Sequence, residues 1–533
     1  MKAALPFFCL GKKHGLHEVW ITLILFWLSA CGTDDKISEN APLSEIDEGE
    51  QVTKSGPNTG TKAKEEKDSN FGEDVDPKAS IEGEGKQTKR PDYNASKTRE
   101  FSIVAYNVEN LFDLDGIAKY ADYAPVHYGN SQLQKKLEGI TETLHRIGDG
   151  SGPDVVLLQE IELDRTPEEH LSATELLKQA LDAKGLGPYH LAKGRIKNLS
   201  LSESSVTLCL TLSKFPIEKI RTHRVTRARA ILETHLSIDG RPLVVFNNHW
   251  KSGASSAEME KVRLQNAEVL RGRIDELLNK EPSLDIVVGG DLNSNYNQKT
   301  LFKGVMPKTA VNDVLLSHGN ESLMQSNTRK LYNLWHELPS KDRGSEVWTG
   351  RWGTLMHLLL SNGLYDNSGV QYVADSFKVI VLPEINAAPG TGVPRRWTND
   401  FGGVGVSDHL PVFAKFTTKT ERPSVSINHS NTPSTQPLIN YTKAIANAEV
   451  FGAKTASPEN LWKVYRFSGK LVGKNPLTME TAGKRIRVWS FDSKLKRRLF
   501  AIKQDASMSG LGYLSRYKGN WQLILEYDDW LDN

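Results

Sequence analysis

At 533 residues, with 38% hydrophobic and 25% charged side chains, the chain has material for more than one domain with an ordinary core. Its 67 Lys and Arg against 65 Asp and Glu leave +2, which excludes a histone-like polycation and a wholly disordered acidic chain. Three cysteines, Cys9, Cys31 and Cys209, are too few for a disulfide framework or a four-cysteine zinc site.

The chain opens with Lys2, Lys12 and Lys13, then an apolar run from Val19 to Ser29. Such a run suits a signal-peptide core and falls short of the ~20 residues that span a bilayer. Leu28-Ser29-Ala30-Cys31 resembles a bacterial lipobox, which implies cleavage after residue 30, diacylation of Cys31 and a lipid-anchored protein at the periplasmic or extracellular face of the envelope. An ordinary signal peptide with an incidental cysteine is the alternative. Residues 31–100, rich in charge, Gly, Ser and Pro, bury too little to offset ordering entropy and are expected to form a disordered tether. A second breaker-rich stretch, 418–440, separates a body (101–417) from a tail (441–533).

In the body, β-rich apolar runs recur, and most end in carboxylates, amides or imidazole. Run 101–108 leads into Asn107 and Glu109, and 154–160 ends in Gln159-Glu160. Apolar residues at helical spacing mark 132–147 as a core-facing helix. Runs 205–212 and 229–238 follow, with Cys209 expected to be buried and inert in the first. Run 242–250 ends in Asn247-Asn248-His249, and a helical stripe covers 257–280. Run 285–293 passes two glycines into Asp291-Leu292-Asn293, and Ser407-Asp408-His409 closes the body. Strands and helices mixed in this way give an α/β or α+β fold, and the ends of its strands are where chemistry is carried. Singly, each cluster has an ordinary explanation. Glu160 reads as the first solvated residue past a strand, Asp291 and Asn293 as turn formers, His249 as a satisfied core histidine. DLNSNYN also mimics the start of a calcium loop, but Tyr296 and Phe302 stand where glycine and glutamate are needed.

In the tail, short β-like runs are punctuated by glycines, which suggests a small barrel or sandwich. Lys484, Arg485, Arg487, Lys494, Lys496, Arg497 and Arg498 are interleaved with Trp489 and Phe491. That pattern fits an oligonucleotide-binding barrel, or simply a solvated basic face on an accessory domain.

Taken together and in order, YNVENLFD (106–113), LLQE (157–160), NNHWKSG (247–253), GGDLN (289–293) and SDHLP (407–411) resemble the endonuclease/exonuclease/phosphatase superfamily, with DNase I-like fold. LYNLW (331–335) and RGSEVWTGRWGTLMHLLLSNGL (343–364) resemble its bacterial extracellular-nuclease-type members. The resemblance implies a four-layer sandwich of two β-sheets flanked by helices, and phosphate-ester hydrolysis with Mg²⁺ (or Mn²⁺ or Ca²⁺). It implies Glu160 as principal metal ligand with Asn107, Glu109 and Asp408 around it. Asp291 would orient or deprotonate water, Asn293 would fix a phosphate oxygen, and His249 and His409 would donate to the phosphoryl group, with Asn248 in the same catalytic set. Nucleic acid is the implied substrate, with a lipid phosphodiesterase, a phosphomonoesterase and a catalytically impaired polyanion-binding module as alternatives; no obligate protein partner is evident. Two departures stand out. Met356 occupies the position of an expected aspartate that holds the catalytic imidazole, for which Asp366 is a candidate substitute. The stretch LSLSESSV, ending at Val206, lacks an arginine expected near the phosphate.

Overall fold

Period-two alternation in the strands and apolar stripes on the helices decide the architecture. The structure, a computed structural model, describes residues 73–75, 98–419, 423–425 and 445–532, except 167–168, 197–198, 201–203, 349–350, 390 and 518. The signal run, Cys31 and most of the tether and linker lie outside the described residues. Among those described, no helix is long and apolar enough to cross a membrane.

In chain order, Glu73–Val75 (β1), Glu100–Leu111 (β2) and Val155–Glu162 (β3) precede His190–Lys193 (β4), Thr207–Ser213 (β5) and Ile217–His223 (β6). Next come Ile231–Ile238 (β7), Arg241–His249 (β8), Ile286–Asp291 (β9), Ser317–His318 (β10) and Leu331–Asn333 (β11). Glu346–Trp348 (β12) and Arg351–Gly353 (β13) make a hairpin. Met356–Leu360 (β14), Gln371–Tyr372 (β15), Lys378–Val379 (β16) and Val412–Thr417 (β17) complete the body. Its long helices are α1 (Asn130–His145), α2 (Ala173–Ala183) and α3 (Ala257–Lys280). Ser172 starts α2 with a reciprocal bond to Glu175, and Ser256 caps α3 at the Met259 N–H, each satisfying donors a helix start leaves open.

Two sheets result: an eight-stranded one in the order β1-β6-β7-β8-β9-β14-β11-β10, and a seven-stranded one running β15-β17-β2-β3-β5-β4 with β16 beside β17. Alternation sorts each strand's side chains into two layers. Ile103 and Ala105, Val155 and Leu157, Leu243 and Val245, and Val287 meet in one apolar layer. Val104, Tyr106, Val156 and Leu158 instead face Leu137 and Ile140 of α1 and Leu177 and Leu181 of α2. Val244, Phe246, Ile286 and Val288 face Leu270, Ile274 and Leu278 of α3. The order is helix, sheet, sheet, helix, the sandwich the sequence led us to expect. Cys209 is buried, and burial pushes its thiol up to about 12, so it is inert as expected.

One expectation changes. Glu73–Val75, inside the segment expected to be a disordered tether, pairs antiparallel with β6 as an edge strand. Pairing with an open sheet edge satisfies backbone groups and needs no apolar run.

The tail contributes Glu449–Val450 (β18), Val464–Lys474 (β19), Leu477–Thr481 (β20), Lys484–Trp489 (β21), the helix Ser493–Ala501 (α4), Ser507–Tyr517 (β22) and Asn520–Ile524 (β23). Because β19 pairs with both β20 and β22, the strands β19-β20-β21-β23-β22 close into a barrel, removing open edges. Leu495 and Leu499 of α4 join its core. The barrel touches the body where Arg516 pairs with Asp400 at 2.5 Å and Trp521 stacks on Phe401 at 5.9 Å and 18°.

Candidate active site

The alternation that builds the core also delivers polar side chains to one end of the inter-sheet layer. Asn107 follows Ala105, Asn247 and His249 follow Val245, and Asp291 follows Val287 at steps of two or four along their strands. Glu160 breaks this pattern, since alternation with Leu158 would send it toward the helices. A left-handed φ of 68° at Glu160, with a register break of β3 against β5 between Leu158 and Ile161, re-aims it, as bulges do. Similar breaks hold the neighbouring turns, with φ of 52° at Glu109, 63° at Asn110 and 47° at Asn293. Gly290, at φ 112°, is required on a second ground: a Cβ there would overlap the carbonyl oxygen of Asn248.

Amides fix the sheets across the site. Gln159 Nε2 donates to Asn247 Oδ1 at 2.7 Å, and Asn247 Nδ2 donates to the carbonyls of Leu158 and Leu210 at 3.1 and 3.0 Å. Asn107 Nδ2 lies 3.1 Å from both Glu160 Oε1 and Asp291 Oδ2. His249 Nε2 is 3.7 Å from Glu160 and 3.6 Å from Asp291, and His409 Nε2 is 3.7 Å from Asp291. Asn293 N donates to Asp291 Oδ1 at 2.8 Å, and its amide donates to the Trp250 carbonyl at 3.0 Å. Ser407 Oγ donates to the Asn107 carbonyl at 2.7 Å and accepts from His409 N at 3.0 Å, which docks the SDH segment on β2.

Burial dominates the electrostatics. It raises Glu160, with Arg229 opposing, and raises Asp291, with His409 opposing. Burial also holds His249 well below its ordinary value, and Arg229 and His409 add to that. For His409, burial acts downward but is outweighed by Asp408, Asp291, Glu346 and Glu160, so its pKa rises. The two imidazoles beside Asp291 are thus pushed in opposite directions, His249 down and His409 up, a split suited to acid–base work.

The structure corrects parts of the expected set. Asn248 points away from this cluster by alternation. Its Nδ2 donates to the Phe246 and Gly289 carbonyls, and its Oδ1 accepts from Trp250 Nε1, so its amide braces strands on the helix side. Both oxygens of Glu109 are engaged, Oε1 by Arg396 Nε at 2.8 Å and Oε2 by Trp397 N at 2.6 Å. Arg396 also holds Asp408 at 2.9 Å. An arginine bridge thus takes the place expected for a cation between Glu109 and Asp408. Asp366 lies beyond the far end of β14 and accepts from Ser368 N and Gln371 Nε2, so it cannot support His409. Met356 does face the inter-sheet layer and sits opposite Asp291 in register, and His409 Nδ1 is buried without a partner.

Three charged groups escaped the sequence reading. Arg229, before β7, donates to Thr207 Oγ1 at 3.1 Å, one residue past Val206, and supplies a cation where LSLSESSV has none. Arg396 binds two site carboxylates. Glu346 pairs with His409 in an isolated antiparallel bridge, and burial, with Asp408 and Asp291 nearby, pushes it up to about 7. Its carboxylate lies where a Cβ on Gly353 would be. In the sequence these were ordinary surface charges, since nothing marked their segments as folding over the strand ends.

Among the described residues, no group of three or more His, Cys, Asp and Glu is spaced to enclose a metal ion. Glu160 and Asn107 offer the one or two protein oxygens with which Mg²⁺ is commonly held, its remaining positions kept by water. Half-buried Glu160, whose one hydrogen-bond donor among the described residues is the neutral amide of Asn107, is the kind of carboxylate such a cation would neutralise.

Several solved structures resemble the chain at low scores. Truncated Caenorhabditis elegans TDP2 is 15% identical with a TM-score of 0.36, over 61% of this chain and 99% of that one. D. rerio TDP2 complexed with a single-strand DNA product gives 15% and 0.36 over 60% and 98%. Staphylococcus aureus beta toxin gives 16% and 0.35 over 59% and 99%. At such scores none of them bears on substrate or mechanism. No curated protein sequence matches the chain. Residues 102–418, however, match the model of the Endonuclease/Exonuclease/phosphatase family, and the match spans every strand-end residue of the cluster. The chain therefore belongs to the endonuclease/exonuclease/phosphatase family, whose enzymes hydrolyse phosphoric esters.

Proposed function

We propose that the chain is a metal-dependent phosphodiesterase acting on nucleic acid, exported and tethered to the envelope through a lipid on Cys31. The observation that carries the catalytic part is the convergence of Asn107, Glu160, His249, Asp291 and His409, each with a polar atom 3.1 to 3.7 Å from that of at least one other. Glu160, with an oxygen of Asn107, would hold Mg²⁺, which when bound neutralises phosphate charge. Asp291 Oδ2 would take the proton of the attacking water. Asn293, fixed through its N–H to Asp291 and its amide to Trp250, holds that carboxylate's orientation. His409 and Arg229 would meet the charge that builds on the phosphoryl oxygens, with neutral His249 as a further donor.

The test is a substrate panel. The chain would be incubated with plasmid DNA, RNA, phospholipid vesicles and a chromogenic phosphodiester, with Mg²⁺ or with EDTA. Mg²⁺-dependent cleavage of nucleic acid is expected. Release of lipid head groups alone would overturn the nuclease choice, and no turnover anywhere would favour a polyanion-binding module, the reading that Met356 supports. The lipid on Cys31 is tested separately: the mature protein is expected to partition into detergent, and Cys31→Ser to stay aqueous.

A further prediction concerns Met356→Asp. The new carboxylate would enter the apolar layer directly opposite Asp291, and four carboxylates already surround His409. Lower thermal stability and an unchanged or lower kcat are expected. A raised kcat would show that His409 is limited by the missing aspartate.

A further inference from the structure

The barrel carries a second concave site. A cavity of about 340 Å³ is lined by Pro476, Thr478, Arg485, Arg487, Asn520 and Trp521. These residues come from strands β20, β21 and β23 and from the turn between β19 and β20. Alternation explains why the cations face outward: Ile486 and Val488 enter the core, so Arg485 and Arg487 project from the opposite face.

Neither side chain is held in an ion pair among the described residues, and Glu480 stands directly across the ladder from Arg485. Lys494 and Arg498 pair with Asp528, Lys470 with Asp505, and Arg516 with Asp400. Among the described residues no hydrogen bond or ion pair engages the guanidinium of Arg485 or Arg487. Two free arginines side by side repel one another, and an anion with more than one charge would relieve that. Trp521 adds an aromatic wall beside them. It is already held in place by the stack on Phe401, with Arg516 over both rings at 4.4 and 5.6 Å, so ordering it for a ligand costs little entropy.

We propose that the β20–β21 face of the barrel binds single-stranded nucleic acid, Arg485 and Arg487 taking backbone phosphates and Trp521 stacking on a base. This rests on the nuclease reading of the body for its choice of occupant, and it assigns the substrate's form. Cations in a groove, with an aromatic beside them, suit a flexible strand with exposed bases better than a duplex whose bases are stacked inside. In closed five-stranded barrels of this plan, the face of the second and third strands and the adjoining turns is where oligonucleotides lie.

The test uses the full chain in EDTA, so that binding is read without cleavage. Fluorescence anisotropy would follow labelled oligothymidylate across a salt series, for the parent and for Arg485→Ala/Arg487→Ala. Expected is a loss of affinity of about tenfold or more, two charge-assisted contacts having been removed. The slope of log K against log salt should shrink by about 1.4, from ~0.7 per phosphate for single strands. The melting temperature should hold, because neither guanidinium has a structural partner. Affinity within a factor of about two of the parent's overturns the proposal, as does equal binding of a duplex, or binding of anionic vesicles with none of the oligonucleotide. The two readings fail separately. A chain that binds oligothymidylate through these arginines but hydrolyses nothing sinks the function proposed for the body and leaves this site standing. One that hydrolyses nucleic acid while the double variant binds normally sinks this site alone.

Discussion

Glu160→Gln is expected to lose activity by at least about 10²-fold, because one electrostatic contribution of ~3 kcal/mol leaves the barrier. Fold stability should survive. Glutamine keeps an acceptor for Asn107 Nδ2, and the charge it removes is one that burial already disfavours. Metal dependence should go with the rate: Mn²⁺ binding followed by electron paramagnetic resonance should weaken in the variant, while its melting temperature stays near the parent's. A fully active Glu160→Gln chain would remove the assignment of this residue as the cation's anchor. The reason for expecting a large effect lies in the backbone. The left-handed φ and the register break place this carboxylate and no neighbour at the junction of Asn107, Asp291 and His249.

Glu233→Ala is expected to have the largest effect on stability, about 3–5 kcal/mol, read from denaturant unfolding. Glu233, on β7 and fully buried, receives Arg273 Nε and Nη2 at 2.8 Å each, His223 Nε2 at 2.7 Å and His235 Nε2 at 2.6 Å. Arg273 belongs to α3, so this carboxylate joins helix to sheet, and removing it leaves Nε and Nη2 of a buried guanidinium without acceptors, only Nη1 keeping Glu276 at 2.7 Å. Burial alone would raise the acid, but the bonds from Arg273, His223 and His235 outweigh it and hold Glu233 well below the usual range. A depressed folded pKa stabilises above the unfolded value of about 4.3 and loses that contribution as pH falls toward the folded one. The stability gap between parent and Glu233→Ala should therefore be full near neutrality and narrow in acid. A gap that stays constant or widens below that value would show that the cluster is not held by charge.

Much of the sandwich could be read from period and stripe. The runs at 101–108, 242–250 and 285–293 and the helices at 132–147 and 257–280 stand in the structure within a few residues of where alternation and helical spacing put them. The strand Ile217–His223 and the helix Ala173–Ala183 went unread. In the first, Glu218, Lys219 and Arg221 interrupt the apolar pattern of an outer strand. The second was legible, since Ala173, Leu177 and Leu181, which it buries, stand four apart with Leu176 and Ala180 beside them. In the site, the residues at strand ends were visible because a rigid strand fixes where its last side chain goes. Asn248 was assigned chemistry because sequence shows adjacency and not facing: one step along β8 moved it to the helix side. Arg229, Glu346 and Arg396 were invisible for the complementary reason. They reach the site from a loop, a hairpin and a turn, and only tertiary folding gives them a common address.

The amide of Asn247 has a consequence for variation in this chain. It donates to carbonyls of two strands of the opposite sheet and accepts from Gln159. Aspartate would set a carboxylate oxygen against two carbonyls, leucine would leave both carbonyls without their donor and Gln159 Nε2 with the Leu157 carbonyl alone, and glutamine is one methylene too long for a packed layer. A library randomised at this codon and screened only for soluble expression should return to asparagine, although the residue makes none of the proposed contacts with a substrate. The position would then look as invariant as the catalytic acid while answering to architecture alone.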